Sequence, residues 1–144
     1  QGTSSGQARS ITLQPAGSNT TITIVVTAPN GDQKTYTVTV NREAPGSNAN
    51  LSNLLVSAGT LDPSFTSGTT SYTVTAPLLT ISTTVTATVA DPNSTLTING
   101  AQATSGVAFT ILPLLPGSNP INIEVTAQDT TTKKTYAVTV EVGP

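Results

Sequence analysis

The stretch Lys34-Thr35-Tyr36-Thr37-Val38-Thr39-Val40 decides the fold, because apolar and polar residues alternate along it one by one. Tyr36, Val38 and Val40 would lie on one face of an extended strand, and the threonines between them on the other. Such alternation is typical of a half-buried strand in an antiparallel sheet with one wet face. The pattern returns at an offset of 100 residues as Lys134-Thr135-Tyr136-Ala137-Val138-Thr139-Val140. The chain therefore contains two copies of one β-repeat.

The repeat extends upstream of this strand in both copies. Gly17-Ser18-Asn19 returns as Gly117-Ser118-Asn119, and residues 22–28 match residues 121–127. The positions at which the copies differ in length fall in loops, as expected of two copies of one fold. Each copy therefore predicts a β-hairpin whose strands alternate apolar and polar residues.

Further short alternating runs, separated by Gly, Pro and Asn turns, precede the second hairpin. Together with that hairpin they make seven predicted strands, at residues 51–56, 72–76, 81–89, 95–98, 107–111, 121–127 and 136–140. Asn99-Gly100 is a strong signal for a type I′ turn. The sequence therefore predicts an all-β fold: an antiparallel immunoglobulin-like β-sandwich of about seven strands, preceded by a partial, three-strand copy of the same repeat.

These patterns divide the chain into three parts. Residues 51–142 are predicted to form one complete sandwich domain, with residues 43–50 as the linker before it. Residues 8–42 match only the C-terminal half of a repeat. Its three predicted strands lie around residues 11–13, 22–28 and 36–40. Because this half-repeat cannot bury its apolar face alone, we expect another chain to complete it.

Several short motifs in the second copy carry a family resemblance. They are Leu51-Ser52-Asn53-Leu54, Ser57-Ala58-Gly59-Thr60-Leu61, Gly68-Thr69-Thr70-Ser71-Tyr72-Thr73-Val74 and the stretch 134–140 quoted above. Their pattern resembles the cadherin-like, immunoglobulin-like β-sandwich repeats of bacterial surface and secreted proteins. The resemblance implies a tandem, non-catalytic, extracellular module that serves as a spacer, stalk or adhesive element. It brings no catalytic residues with it.

The composition excludes several classes of function. His, Cys, Met and Trp are absent, which rules out thiol nucleophiles, Cys/His zinc sites and Ser-His-Asp triads within this chain. The net charge is −2 and the five cations are scattered, so we expect no nucleic-acid partner. No apolar run approaches the ~20 residues of a membrane span. Only 8% of the residues are charged, against 30 Thr and 14 Ser, which favours an extracellular or cell-surface location for a secreted protein.

The acidic residues are dispersed, which argues against a metal site or a reaction. Four aspartates stand alone beside turn residues: Asp32, Asp62, Asp91 and Asp129. A calcium site usually needs several clustered carboxylates, so we interpret these residues as Asx turns. A carboxylate pair for glycoside hydrolysis would need a pocket that separates two pKa values, which turns and wet strand faces do not provide. We therefore predict no catalytic residue, no metal and no cofactor.

Two groups of apolar residues are candidate partner contacts. The first is the apolar face of the first hairpin, formed by Ile22, Ile24, Val26, Tyr36, Val38 and Val40. The second is a set of leucines in two loops: Leu78, Leu79, Leu114 and Leu115. If successive strands alternate in direction, these loops lie at opposite ends of the sandwich. There the leucines would close the ends of the core, or would contact neighbouring modules.

Three functions remain open on the sequence alone. We predict first a non-catalytic structural or adhesive module. The second is a self-assembling filament subunit that shares strands or pairs half-sandwiches through residues 8–42. The third is a carbohydrate-binding accessory module with glycans as partners. Sugar platforms normally use exposed aromatic rings, and all three tyrosines of this chain share a strand face with apolar residues predicted to point inward.

Overall fold

The computed structural model describes residues 2–144, and every regular element in this range is a β-strand. The chain divides into two compact units, a first that ends at Pro45 and a second that spans Gly46–Pro144. No helix in the described range is long and apolar enough to cross a membrane.

The first unit contains one antiparallel hairpin, formed by β1 (Asn19–Thr27) and β2 (Gln33–Asn41). β-Branched residues dominate both strands, which favours extended backbone. The turn between them is held locally, because the backbone N–H of Asp32 donates to the Asn30 side-chain oxygen at 2.9 Å. Ile22 pairs with Val38 and Ile24 with Tyr36, so the alternating apolar residues of both strands lie on one face.

The second unit is a sandwich of two sheets. Its eight strands are β3 (Leu51–Val56), β4 (Ser71–Ala76), β5 (Thr83–Val89), β6 (Thr95–Ile98), β7 (Ala101–Ala103), β8 (Phe109–Ile111), β9 (Gly117–Thr126) and β10 (Lys133–Val142). One sheet has the order β4-β10-β9-β6-β7 and the other the order β3-β5-β8. Strand β10 runs parallel to β4, and the other strand pairs are antiparallel.

Alternation along each strand builds the core between these sheets. Buried residues occupy every second position of β4 and β5, of β9 from Ile121 onward and of β10 from Tyr136 onward, while the positions between them are polar or partly exposed. The buried apolar cluster takes residues from both sheets, with Leu51, Leu54 and Val85 from one and Ile123 and Val138 from the other. This closed core supports the all-β sandwich prediction for the second copy.

The predicted strand list was incomplete and its directions were partly wrong. The short strand β7 was missed, because Ala101-Gln102-Ala103 has neither β-branched nor aromatic residues. The purely antiparallel prediction fails at the β4–β10 pair, which is parallel. Alternation tells which face of a strand is buried, but it is the same whichever way the neighbouring strand runs. Strand β5 also begins at Thr83 and not at residue 81.

The first unit has two strands, and the third one predicted around residues 11–13 is absent. Those residues carry no strand, and Ile11 and Leu13 are about 40% exposed. The segment that precedes the second hairpin, β8, is held by pairing with β5. No strand equivalent to β5 occurs in residues 2–45, so residues 11–13 have nothing to pair with.

The linker predicted at residues 43–50 is shorter in the structure, because its second half packs on the second unit. The backbone N–H of Gly46 donates to the Gln128 side-chain oxygen at 2.8 Å. Ser94 donates its hydroxyl to the Asn48 carbonyl at 2.7 Å, and Ala49 is buried. The second domain therefore begins at Gly46.

Candidate interaction surface

The six apolar residues predicted as contacts in the first unit lie together on one face of the β1–β2 hairpin, called the hairpin face below. Its members are Ile22, Ile24, Val26, Tyr36, Val38 and Val40. Four of them are about half exposed, and Ile22 and Val40 are less so. Exposure of this much contiguous apolar surface is unusual for a folded unit and is typical of an interaction site.

The equivalent hairpin of the second unit shows how much less exposed the matching residues are when other strands cover them. Tyr36 is 49% exposed, whereas Tyr136 at the matching position is 0% exposed. The pairing is the same in both copies, since Ile22 pairs with Val38 and Ile121 pairs with Val138. The difference therefore lies in what surrounds each hairpin.

Three neighbours cover the second hairpin. Strand β4 lies parallel along the free edge of β10, and β6 lies antiparallel along the free edge of β9. The β3-β5-β8 sheet packs on the apolar face. Within residues 2–45, β1 and β2 have no strand neighbour but each other, so both outer edges and the face remain open. Open edges pair readily with added strands.

A lysine lies over a tyrosine ring in both hairpins. The Lys34 Nζ atom is 5.3 Å from the centre of the Tyr36 ring, and the Lys134 Nζ atom is 5.2 Å from that of Tyr136. Such cation–π contacts help to orient both side chains. The pair therefore has the same internal arrangement in the first unit as in the second.

Within residues 2–144, hydrogen-bond partners are present only for the second pair, and they come from the start of β3, the residue before it and the loop before β4. The Tyr136 hydroxyl donates to the Ser67 carbonyl at 2.7 Å and accepts from the Leu51 N–H at 3.1 Å. Lys134 donates to the same carbonyl at 2.8 Å and to the Asn50 side-chain oxygen at 3.0 Å. We call these three groups the tyrosine socket. Sequence reasoning missed it, because its members are 67–85 positions away from the residues they bind.

The leucine-rich loops lie at the same end of the second unit, and the prediction that they lie at opposite ends was wrong. The loop 77–82 precedes β5 and the loop 112–116 follows β8, and Thr83 pairs with Ile111. The Leu114 N–H also donates to the Ile81 carbonyl at 2.8 Å. The error follows from the missed strand β7. Each strand takes the chain from one end of the sandwich to the other, so the four strands β5 to β8 return it to the end at which it started, whereas the three predicted strands would have left it at the opposite end.

Only one of the four predicted loop leucines closes the core. Leu114 is 4% exposed, whereas Leu78, Leu79 and Leu115 are at least half exposed. Sequence reasoning missed two further exposed apolar residues of these loops, Ile81 and Leu112. It also missed Val25, which is half exposed on the other face of β1. Val25 interrupts the alternation of its strand, and that interruption was the available signal.

The geometry of both hairpins agrees with a comparison against known families. A model of the cadherin-like β-sandwich domain matches residues 1–43 and again residues 49–143. The chain belongs to the cadherin-like β-sandwich family. The first match contains the hairpin of the first unit, and the second contains the sandwich of the second unit.

A longer relative of this cadherin-like chain is known from a bacterium. A protein of Evansella cellulosilytica named "Putative membrane protein" is 38% identical over 105 residues. The match covers 73% of this chain and 15% of the relative. The chain therefore spans only a small part of that protein.

Two of the four aspartates predicted as Asx turns, Asp91 and Asp129, accept hydrogen bonds from turn N–H groups. The prediction was wrong for the other two, because Asn30 is the acceptor in the turn at Asp32 and because Asp62 pairs with Thr73 through its backbone. Asp91 accepts from the Asn93 N–H at 3.0 Å, and Asp129 accepts from the N–H groups of Thr131 and Thr132. The hydroxyl and N–H of Thr132, which hydrogen-bond the Asp129 carboxylate, lower its pKa below the ordinary 3.8. In residues 2–144, no three acids cluster as a metal site would need. The carboxylates of Asp91 and Asp129 therefore hold turns.

The aromatic residues of the second repeat form an internal cluster. Phe65 stacks on Tyr72 with ring centres 6.1 Å apart and contacts Tyr136 at 6.4 Å. Tyr72 and Tyr136 are buried, and Phe65 and Phe109 are partly buried. Tyr36 on the hairpin face is therefore the most exposed ring in the described residues.

Proposed function

We propose that this chain is a non-catalytic structural module of an extracellular or cell-surface protein, and that it serves as a spacer or adhesive element. The observation that carries the proposal is the lengthwise pairing of β10 inside a closed cadherin-like sandwich. The name of the longer relative and the low charge of this Thr-rich chain support a surface location.

The chain enters and leaves the second unit at opposite ends. Leu51 at the start of β3 pairs with Val89 at the end of β5, while Val142 pairs with Ala76 beside the loops that precede β5. Tension along the chain therefore acts parallel to the strands. The ladder bonds that hold β10 to β4 and β9 lie across this direction, so they are loaded together and not one after another. This geometry suits a spacer under load.

Force spectroscopy tests the proposal directly. The chain has no cysteine, so handles can be placed at Pro45→Cys, directly before the second unit, and at Pro144→Cys, at its opposite end. We expect one unfolding event at high force. Handles at Leu79→Cys and Pro144→Cys lie at the same end and should peel β10 off bond by bond at a several-fold lower force. Equal and low forces in both geometries would remove the support for a load-bearing spacer.

One observation keeps the strand-sharing assembly unit as a second candidate function, namely the exposed hairpin face. Covering the hairpin face would stabilise a complex by several kcal/mol, because burying the exposed half of a large apolar side chain contributes roughly 0.7–1.5 kcal/mol. This candidate predicts self-association of the whole chain in light scattering. Val38→Asp on the hairpin face should abolish the association, whereas Thr37→Asp on the opposite face of β2 should not. A chain that stays monomeric at high concentration speaks against this function.

The carbohydrate-binding alternative receives no such support. A sugar platform needs several exposed rings on one surface, and the aromatic side chains of the second repeat are turned into its core. We therefore do not propose glycans as the partner of this module.

A further inference from the structure

We propose that the hairpin face of the first unit binds the N-terminal strand block of a cadherin-like repeat, supplied by a further repeat of the same tandem polypeptide. The strand block is the part equivalent to residues 46–101 of this chain, which carries β3, β4, β5 and β6. The inference rests on the proposed function as a tandem module, and it names the partner of the exposed surface.

The second unit displays the same hairpin with its cover in place. The two hairpins share the motif Lys-Thr-Tyr-x-Val-Thr-Val and the same strand register. In the second unit, the face is covered by the β3-β5-β8 sheet, and the residues equivalent to the hairpin face are fully buried. A surface of the same shape and chemistry fits the same cover.

The outer edges of β1 and β2 specify the directions of the strands that can pair with them. In the second unit Val138 pairs in parallel with Tyr72, and Val125 pairs in antiparallel fashion with Leu96. The equivalent positions in the first unit are Val38 and Val26, whose outer edges have no strand beside them in residues 2–45. The partner must therefore bring one strand parallel to β2 and another antiparallel to β1. A strand block brings both.

The Lys34–Tyr36 pair is already arranged for a tyrosine socket. Its cation–π distance differs by only 0.1 Å from that of the buried pair, at 5.3 Å against 5.2 Å. In residues 2–144 neither the Tyr36 hydroxyl nor the Lys34 ammonium has a hydrogen-bond partner. The proposed block supplies the groups that the second unit provides from Asn50, Leu51 and Ser67.

The segment between Gly2 and β1 has the length needed to connect a strand block to the hairpin. At the repeat offset of 100 residues, Gly2 matches Gln102 and Gly17 matches Gly117. In the second unit this segment leads from β7 through β8 to β9. Its counterpart in the first unit leaves Ile11 and Leu13 exposed, as expected of a β8 equivalent without its β5.

A second copy of this chain fits the surface less well. The strand block of each copy already holds its own β9–β10 hairpin, so exchanging hairpins between copies uncovers as much surface as it covers. Two hairpin faces packed on each other would bury their apolar residues. They would still leave the outer edges of β1 and β2 unpaired and Tyr36 without a socket.

The test is an extended chain in which a copy of residues 46–101 is fused directly ahead of Gly2. We expect the amides of β1 and β2 to exchange at least ~100-fold more slowly than in the original chain, because they become part of a closed sandwich. We also expect the extended chain to be monomeric in light scattering. In the extended chain, Tyr36→Phe should then lower the free energy of unfolding of the first unit. In the original chain we expect the same substitution to have no such effect.

The matched control carries Val74→Asp and Val85→Asp in the added copy alone, since both residues are fully buried in the second unit. This control should leave the β1–β2 amides as exposed as before. Equal exchange rates in the extended chain and the control would overturn the inference, as would a dimer that persists in the extended chain. Neither outcome touches the spacer function, which the force measurement on the second unit decides separately.

Discussion

At the scale of single residues, the two tyrosines at the repeat offset show that surroundings and not identity decide what a side chain contributes. Tyr136 is fully buried and its hydroxyl both donates and accepts a hydrogen bond. Tyr36 has the same neighbours in sequence and the same lysine over its ring, yet half of it is exposed. The chain thus contains its own matched control.

Tyr136→Phe should lower the free energy of unfolding of the second unit by about 1–3 kcal/mol, because the buried Leu51 N–H and Ser67 carbonyl lose their partner. Tyr36→Phe lies in the first unit and removes no hydrogen bond, so it should change the free energy of unfolding by less than about 0.5 kcal/mol, as at other exposed positions. Urea denaturation of both variants measures the difference. Equal losses would show that the Tyr136 hydroxyl bonds do not stabilise the fold.

Asp129 adds a pH dependence whose sign follows from its lowered pKa. The bonds from Thr132 favour the carboxylate in the folded state, so the unfolded chain binds the proton more readily. The stabilisation is complete above the ordinary value of 3.8 and is lost as the pH falls through the lowered pKa. Asp129→Asn and Thr132→Val should both flatten the acid decline in stability between about pH 5 and pH 2. An unchanged decline in both variants would contradict this role.

At the scale of strands and turns, the Asn99-Gly100 turn behaves as its sequence predicts. Both residues have positive φ, 49° and 80°, as a type I′ turn requires. Because Gly100 adopts a conformation that a Cβ disfavours, Gly100→Ala should cost about 1 kcal/mol. Gly68→Ala is the control, since an added Cβ there meets no atom within 4 Å and no positive φ is required. Thermal denaturation compares the two, and equal midpoints would contradict the turn assignment.

Sequence periodicity found most strands but could not find their neighbours. The alternation around Val38, Val74 and Val85 marks which faces are buried, and the structure agrees for the second copy. It does not encode that β4 runs parallel to β10, nor that Tyr136 reaches Ser67. These contacts depend on how distant segments meet. The weak strand β7 escaped notice, and that one omission reversed the expected position of the leucine loops.

At the scale of the whole molecule, residues 2–144 form one closed cadherin-like sandwich and one open two-stranded hairpin. A two-stranded sheet alone is marginal in water, whereas eight strands around a common core are not. The central claim is that the two hairpins are equivalent and that only their cover differs. Every interpretation of the hairpin face depends on this claim.

Residue-resolved hydrogen exchange on the whole chain, at a concentration where light scattering shows a monomer, tests this claim most directly. The amides of β9 and β10 should exchange only through global unfolding of the second unit. Those of β1 and β2 should exchange at least ~100-fold faster, because opening an uncovered hairpin costs little. Equal protection of the two hairpins in the monomer would contradict the account, since the first hairpin would then already be covered within its own chain.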